Sequence, residues 1–421
     1  MKKKKLILIG LLAAMMTAAG CGQTNVTDDS SSKEAFAPSV IIPDESESSS
    51  SSKSSSASSA ESESASSSET IDEVAPDGMY RSELTNEWIS DTLQNQRPIA
   101  VMIDNESSAL PHYGINQADI VYEMMNSTKN GRITRLMAIV KDWKNVTKLG
   151  SIRSARPTNF MLIPEYDAIL CHDGGPWYID YYVSLDYTNN LSGGFARDSK
   201  RSAPYNEYVT YDSYTNGNGQ TYSGLGARIK EKNYSTTYTE NYPGKHFKFS
   251  NNEFMLSDSN YGTKSATDID LPFPHNESEL KYNKDTKTYD YYVYGSAHID
   301  ALTDEITSFK NVILQSCDYV VFDDGGYMKY YVNTNSVKEE TDHDRTIFGN
   351  ISGFGCYSDA SDGTGYYITN GEAIRITWTK GEDTDITIFK NAQTGEVITM
   401  NTGNTYIGIV PSDYWDQLVI K

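Results

Sequence analysis

IAVMID, residues Ile99 to Asp104, is a compact apolar run that ends in a carboxylate. Three similar runs follow it, at residues 118–125 (ADIVYEMM), 132–140 (RITRLMAIV) and 148–154 (KLGSIRS). Short apolar runs bounded by polar residues predict buried strands. The segment WKNV between the last two runs is typical of a hairpin connection, so we expect these two strands to be antiparallel.

The segments around these strands predict helices and a second, β-rich region. ARPTNFMLIPEY is helical at its start, with Ser154 as the predicted N-cap, and DAILCH (167–172) is a further strand. From about residue 247 onward, short alternating runs such as EAIRITWTK are separated by turn signals such as NTGNT. We therefore predict an α+β fold, with an N-terminal mixed α/β sheet domain at residues 77–245 and a β-rich C-terminal domain at 246–421.

The first residues have the features of an export signal. Four lysines precede an apolar run at residues 6–16 and small residues that end at Cys21. This order is typical of a secretory signal, and the apolar run is shorter than the roughly 20 residues of a membrane span. AAGC (18–21) resembles the lipobox of bacterial lipoproteins, which implies a signal peptide at residues 1–20, lipid attachment at Cys21 and an extracytoplasmic, membrane-anchored chain. An ordinary signal peptide with a chance cysteine is the alternative.

Residues 21–76 have the composition of a tether. They are rich in serine and glutamate and offer little apolar surface to offset the entropy of ordering. A coil of about 55 residues has an end-to-end distance of roughly 40 Å. The whole chain carries a net charge of -21, which argues against nucleic acid as a partner.

The remaining cysteines are few. After Cys21 they are Cys171, Cys317 and Cys356, so at most one internal disulfide can form. Cys171 lies in an apolar run and is predicted to be a buried thiol. A pairing of Cys317 with Cys356 stays open. The spacing of cysteine and histidine does not indicate a metal site.

The most unusual local charge lies between residues 129 and 156, where eight basic residues accompany one acid. Arg132, Arg135, Arg153 and Arg156 are the predicted anion-binding residues, because arginine pairs with phosphate and carboxylate through charge-assisted hydrogen bonds. Their alternative role is to pair with the protein's own acids. The lysines on the predicted hairpin are expected to form a solvated face.

Polar side chains also follow two predicted strands. Asp104 and Asn105 end the first strand, and His172 and Asp173 follow AILC. Ligands of α/β sheets bind outside the carboxyl ends of strands, so these four are candidate pocket residues. A histidine at such a place is otherwise a hydrogen-bonded structural residue.

Several motifs together resemble the YerB-like family of bacterial lipoproteins. They are RPIAVMIDN (97–105), ADIVYE (118–123), ITRLMAI (133–139), GSIRSARP (150–157), YDAILCHDGG (166–175), RSAPYNEY (201–208), GEAIRITWTK (371–380) and TGNTYIGIVP (402–411). The resemblance implies separate N- and C-terminal domains and a surface location, and it brings no established activity. The acidic, glycine-rich run that the family usually has before Ile-Thr-Arg is here KNGRITR, without an acid.

Two functions from different classes fit these patterns. The first is a binding module, without a cofactor, for a phosphate- or carboxylate-bearing ligand such as a cell-wall polymer or an envelope protein. The second is an enzyme, because ITRLMAIVKDWKNVTKLGSIRSARP loosely resembles the core of the LytR-CpsA-Psr phosphotransferases. That resemblance implies that the four arginines hold phosphates and that Asp104 binds magnesium, although the acid that follows the arginine in that family is missing here.

Overall fold

The computed structural model describes residues 74–259, 261–322, 326–330 and 363–421. The predicted signal peptide, Cys21, nearly all of the predicted tether and Cys356 lie outside these ranges. None of the helices inside them combines the length and the apolar character that a bilayer crossing requires. Residues 74–76, the end of the predicted tether, have no regular secondary structure.

Strands make up most of the regular structure, and the helices are short. The strands up to residue 259 are β1 (Met79–Arg81), β2 (Trp88–Ser90), β3 (Ile99–Asp104), β4 (Ile120–Met125), β5 (Thr134–Val140), β6 (Leu149–Gly150), β7 (Ile169–His172), β8 (Asn190–Ser192), β9 (Ala196–Arg197), β10 (Glu207–Val209), β11 (Tyr214–Thr215) and β12 (Thr221–Tyr222). The later strands are β13 (Lys264–Ser265), β14 (Asp268–Asp270), β15 (Glu279–Asn283), β16 (Thr288–Val293), β17 (Ser296–Ala297), β18 (Ile299–Asp300), β19 (Glu305–Ile306), β20 (Ser308–Phe309), β21 (Asn311–Cys317), β22 (Tyr319–Val321), β23 (Met328–Tyr330), β24 (Gly363–Thr369), β25 (Glu372–Thr379), β26 (Ile388–Asn391), β27 (Thr405–Pro411) and β28 (Val419–Ile420).

The α-helices are α1 (Pro157–Leu162), α2 (Asp180–Val183) and α3 (Leu225–Glu231). Short 3-10 helices span Asp91–Leu93, Ser107–Ala109, Ile115–Gln117, Asn130–Arg132, Trp143–Asn145, Ile163–Tyr166, Trp177–Ile179, Leu256–Asp258 and Ser412–Gln417. The strand-rich α+β architecture that the sequence predicts is therefore present, but with sparser helices than an α/β domain has.

One large mixed sheet organises the described residues. Its strand order is β13-β25-β24-β21-β27-β4-β5-β3-β7-β8, and β26 pairs with β25 to make eleven strands. Strands β3, β4 and β5 are buried along their whole length. Burial on both faces explains why these strands are continuous apolar runs instead of alternating ones.

The sheet joins the two predicted domains. Strand β27, near the end of the chain, lies between β21 and β4 and is parallel to both. Residues 72–421 accordingly form one compact unit. The division that the sequence predicts at residues 245 and 246 therefore does not correspond to a break in the sheet.

The predicted hairpin between residues 132–140 and 148–154 is wrong. Strand β6 pairs with β10, and the partners of β5 are β3 and β4. The chain turns away from β5 at Trp143, whose buried indole donates a hydrogen bond to the carbonyl oxygen of Arg97 at 2.7 Å. Burial of this large side chain outweighs the local turn signal.

The predicted N-cap at Ser154 is also wrong. Helix α1 begins at Pro157, and Arg156 is the N-cap with an extended backbone. The ring of a proline disfavours helical geometry in the residue before it, and proline itself suits the first helical position. The backbone N–H of Arg156 donates to Asn159 Oδ1 at 2.8 Å, which satisfies a donor at this end.

Candidate anion-binding site

The segment Gly150–Pro157 runs past the end of β3. The N–H of Arg153 donates to the carbonyl oxygen of Met102 at 3.0 Å, and the N–H of Asp104 donates to that of Ser151 at 3.0 Å. These bonds bring the arginines of the segment to the polar end of the strand. Backbone hydrogen bonds therefore hold the segment GSIRSARP beside the end of the strand IAVMID.

Two arginines meet Asp104 at this place. Arg135 lies directly opposite Asp104 on β5, and its Nη1 donates to the carbonyl oxygen of Ser154 at 2.7 Å. The Nε of Arg153 is 2.7 Å from Asp104 Oδ2. The Asp104 carboxylate is buried, whereas the Arg153 side chain is 31% exposed and reaches solvent.

Arg156 lies beside Arg135. Its guanidinium carbon is 3.9 Å from the centre of the Tyr327 ring, and its Nη1 donates to the carbonyl oxygen of Ala155 at 2.8 Å. Both arginines line one small cavity, whose other walls are Met102, Met124, Met125, Asn126, Thr158, Asn159, Met328 and Tyr330. Three of the four predicted arginines thus come together.

The cluster is electrostatically strained. Burial, together with the nearby charges of Arg156 and Arg153, lowers the pKa of Arg135 to about 9 against the opposing effect of Asp104. The buried Nε of Arg135 has no hydrogen-bond partner among the described residues. Among the described residues Arg135 has no ion pair of its own, and Asp104, which offsets part of its charge, is paired with Arg153.

Arg132 lies elsewhere. Its guanidinium forms two hydrogen bonds with Asp413, the shorter at 2.9 Å, and its central carbon is 3.9 Å from the centre of the Tyr414 ring. It is not among the residues that line the cavity of Arg135 and Arg156. Arg132 therefore pairs with one of the protein's own acids, which is the alternative role that the sequence left open.

The other candidate pocket residues separate from the cluster. Asn105 is fully buried and donates to Thr134 Oγ1 at 2.8 Å and to Glu123 Oε1 at 3.2 Å. His172 is buried too, with Nδ1 2.8 Å from the carbonyl oxygen of Gly174 and Nε2 3.3 Å from Asn190 Oδ1. Burial lowers the pKa of His172. Both contacts fit a structural role for this histidine.

Asp173 takes part in a pair of acids that share an arginine. Nη2 of Arg197 is 3.2 Å from Asp173 Oδ2 and 2.5 Å from Glu207 Oε2. Burial and the neighbouring Asp173 together raise the pKa of Glu207 to about 7. Glu207 lies in a polar motif, and its sequence alone gives no sign that it is buried beside another acid.

Glu123 is the second residue that sequence reasoning missed. Its buried carboxylate accepts hydrogen bonds from Asn105, Thr134, Ser278, Tyr291 and Tyr406, at distances between 2.7 and 3.2 Å. Burial raises the pKa of this carboxyl, and the donors oppose that shift. A carboxylate inside the apolar run ADIVYEMM was the available signal.

The lysines near the arginines do not all form the predicted solvated face. Lys141 is buried and forms an ion pair with Glu83, which also accepts from Tyr238. Lys148 is 2.9 Å from Asp198 and lies 3.7 Å from the centre of the Tyr113 ring. Two lysines of the basic segment 129–156 are therefore paired with acids within the fold.

Two family models match this chain. The N-terminal domain of a protein family of unknown function, DUF3048, matches residues 84–234. Its C-terminal domain matches residues 269–342 and 356–407. The chain belongs to this family. The matches agree with the YerB-like resemblance of the sequence motifs and come from the two segments that share the large sheet.

A relative and a solved structure point to the same family. The chain is 25% identical over 257 residues to a Bacillus subtilis (strain 168) protein named as a lipoprotein, YerB. The matched region covers 58% of this chain and 70% of the relative. The crystal structure of YerB from Bacillus subtilis superimposes with a TM-score of 0.61 at 20% identity, covering 81% of this chain and 99% of that one. At this identity the likeness shows the fold alone.

The described residues offer no group of three histidine, cysteine, aspartate or glutamate side chains that could hold a metal ion. Asp104, which the phosphotransferase resemblance assigns to magnesium, is in contact with Arg153 instead. Cys171 and Cys317 are both buried thiols, as predicted for Cys171, and burial raises the pKa of Cys171 to about 12.

Proposed function

We propose that this protein is a membrane-anchored extracytoplasmic lipoprotein that binds an anionic group at Arg135, Arg153 and Arg156. The observation that carries the proposal is the buried guanidinium of Arg135, which has two arginines and one shared carboxylate around it. Leaving a buried charge without a partner is costly. An anion that enters the cluster would remove this cost, which favours its binding.

The geometry also limits which part of a ligand can enter. The cavity between Arg135 and Arg156 is narrow, with a volume of about 10 Å³, which is room for no more than one water molecule. A single phosphate or carboxylate group at the end of a larger ligand would enter only if these side chains moved apart, and a whole sugar is too large. Arg153 is the most exposed of the three and would make the first contact.

Calorimetry with the full chain in detergent tests the proposal. Inorganic phosphate and pyrophosphate are the probes, and Arg153→Ala combined with Arg156→Ala is the test variant. Each lost charge-assisted hydrogen bond is worth about 1.5–3 kcal/mol, so binding at this site should weaken at least about a hundredfold. Arg132→Ala removes the same type of side chain outside the cavity and should leave this binding unchanged.

The conservative double variant Arg153→Lys with Arg156→Lys guards against loss of folding. It keeps both positive charges but cannot make the forked contacts of a guanidinium, so we expect weaker binding in a folded protein. Unchanged phosphate binding in a folded Arg153→Ala, Arg156→Ala variant would disprove the assignment of the binding site to these arginines. Unfolding of both double variants would favour the role in which these arginines pair with the protein's own acids.

Turnover separates the binding module from the phosphotransferase. A binding module releases no lipid phosphate from a lipid-pyrophosphate sugar in magnesium, whereas the enzyme does. Release by the purified chain that is lost in Arg153→Ala would overturn the binding-only proposal.

The anchor has its own test. Attachment of diacylglycerol to Cys21 would hold the chain at the membrane, and the name of the Bacillus subtilis relative supports this. Cys21→Ser should move the protein from the membrane fraction to the soluble fraction, as followed by immunoblotting. A Cys21→Ser variant that stays with the membranes would disprove the lipid anchor.

A further inference from the structure

A second cavity lies beside β1, among residues 251–253, 286–287, 310 and 401–402. Its walls contain more positive than negative side chains, whereas the chain as a whole is acidic. Its walls include Arg81, Asn251, Glu253, Lys287, Lys310 and Thr402. Its volume is about 360 Å³. This value is near the lower end of the range of about 300–1,000 Å³ of small-molecule sites.

One carboxylate and two lysines form the centre of this cavity. Lys287 Nζ is 2.8 Å from Glu253 Oε2, and Lys310 Nζ is 2.7 Å from Glu253 Oε1. The two ammonium groups lower the pKa of Glu253 to about 2. With Arg81, the walls carry three positive side chains and one negative one, in a chain of net charge -21.

The two lysines have different roles. Lys310 also donates to Asn370 Oδ1 at 2.7 Å and to the carbonyl oxygen of Lys287 at 3.3 Å, so its three N–H groups all have acceptors. Lys287 is 55% exposed and contacts the acceptor Glu253. Lys310 therefore fixes the carboxylate, and Lys287 has N–H groups available for a ligand.

The remaining walls are shaped and polar. Gly403 has a φ of +137°, and a Cβ there would lie 2.6 Å from the Cβ of Lys310, so glycine makes room for that lysine. Arg81 lies 4.2 Å over the Trp88 ring, which holds its guanidinium in place. Thr402 Oγ1 and Asn251 Oδ1 both accept from Asn86, so these polar groups are fixed as well.

We propose that this cavity is a binding site for a phosphate-bearing polyol, separate from the arginine cluster. The phosphate would contact Lys287, whose ammonium group has N–H groups available for a ligand. Hydroxyl groups of the polyol would find hydrogen-bond partners at Asn251 and Thr402. The site is made by Arg81, which precedes the first family segment, by residues between the two segments and by residues of the second one, so it exists only in the folded unit.

Calorimetry of the full chain in detergent with sn-glycerol 3-phosphate, inorganic phosphate and glycerol tests this site. Glycerol phosphate should bind more tightly than phosphate, and glycerol should not bind. Lys287→Ala should weaken glycerol phosphate binding about tenfold or more. Lys284→Ala changes a neighbouring exposed lysine of the same hairpin that does not line the cavity, and should leave the affinity unchanged.

Glu253→Gln distinguishes a ligand site from a structural ion pair. The carboxylate competes with a ligand phosphate for Lys287, so its removal should tighten glycerol phosphate binding several-fold. Equal affinities of wild type and Lys287→Ala, or weaker binding by Glu253→Gln, would overturn the proposal.

The two proposed sites fail separately. Glycerol phosphate binding that persists in Arg153→Ala with Arg156→Ala supports the second site, whatever happens at the first. Binding that is lost in that double variant and kept in Lys287→Ala belongs to the arginine cluster and overturns the second site.

Discussion

The arginine cluster and the Glu123 network are neighbours in the fold with opposite chemistry. Arg135 on β5 is a buried cation with an unsatisfied Nε, whereas Glu123 on β4 is a buried anion with five donors. Both lie on strands of the same sheet, and Met124 is paired with Arg135 across it. The Glu123 carboxylate therefore accepts five hydrogen bonds from the protein, whereas the Arg135 guanidinium keeps a buried nitrogen without an acceptor among the described residues.

The difference distinguishes a structural role, which the contacts of Glu123 support, from the binding role that we propose for the arginines. The donors to Glu123 come from both family segments, so its carboxylate connects β4 to the later strands. Hydrogen-bonded networks of this kind favour a single packing. Arg135 keeps an Nε without a partner and is only partly compensated by Asp104, so it contributes less to such packing.

The largest effect is expected for Glu123→Ala. The substitution leaves several buried hydroxyl and amide donors without an acceptor, at about 1–3 kcal/mol for each group that cannot rearrange. We expect the free energy of unfolding to fall by more than about 4 kcal/mol, measured by urea denaturation. Glu123→Gln keeps the shape and one acceptor and should cost less. A loss below about 1 kcal/mol in the alanine variant would show that the network is not structural.

Arg135→Met is expected to change the free energy of unfolding much less than Glu123→Ala does. It removes a hydrogen bond to Ser154 but also relieves the repulsion from Arg156 and Arg153. Replacing a buried charge by an apolar side chain of similar length is often neutral or stabilising, so we expect a change within about 1.5 kcal/mol in either direction. Phosphate binding should weaken in the same variant. A loss of stability as large as that of Glu123→Ala would place Arg135 in the structural class.

The pH dependence of stability tests the burial of a histidine pair beside Asp104. His112 Nε2 is 2.6 Å from the carbonyl oxygen of Asp104, and His112 Nδ1 is 2.9 Å from His298 Nε2. Burial lowers the pKa of His112 from 6.5 to about 4 and also lowers that of His298. The folded state therefore binds these protons less well than the unfolded state, and this stability is present above pH 6.5 and lost as the pH falls toward 4.

For His112 alone the loss between pH 7.5 and 5.5 is about 1.4 kcal/mol. The measurement is the difference in unfolding free energy between wild type and His112→Asn at the two pH values, because other groups titrate in the same range. Asp119, whose pKa burial raises to about 7, changes stability in the opposite direction and cancels in this difference. An equal difference at both pH values would contradict the burial of a neutral histidine.

The smallest effect is expected for Arg132→Ala. Its ion pair with Asp413 is partly exposed, and pairs of that kind contribute about 0–1 kcal/mol. Thermal unfolding should shift by no more than a degree or two. A loss larger than that of Arg135→Met would mean that Arg132 has a structural role that its exposure does not suggest.

Local patterns predicted much of the sheet but little of the site. Strand β3 has the bounds that IAVMID predicts, and β4 and β7 differ from their predictions by two residues at one end. The bounds followed from apolar runs, which are a local property. The convergence of Arg135, Arg153 and Arg156 and the separation of Arg132 were not predictable, since all four belong to the same basic segment.

The amino-acid sequence by itself determined which segments are buried strands, where Pro157 permits a helix to begin, and the features of an export signal. It did so because apolar spacing, proline geometry and composition act over a few residues. The tertiary structure decided which charges are compensated. Glu123 meets Tyr406 across 283 residues of chain because β4 and β27 are neighbours in the sheet. Such pairing between distant strands has no local signature, and it alone decides which buried charges the protein's own groups satisfy.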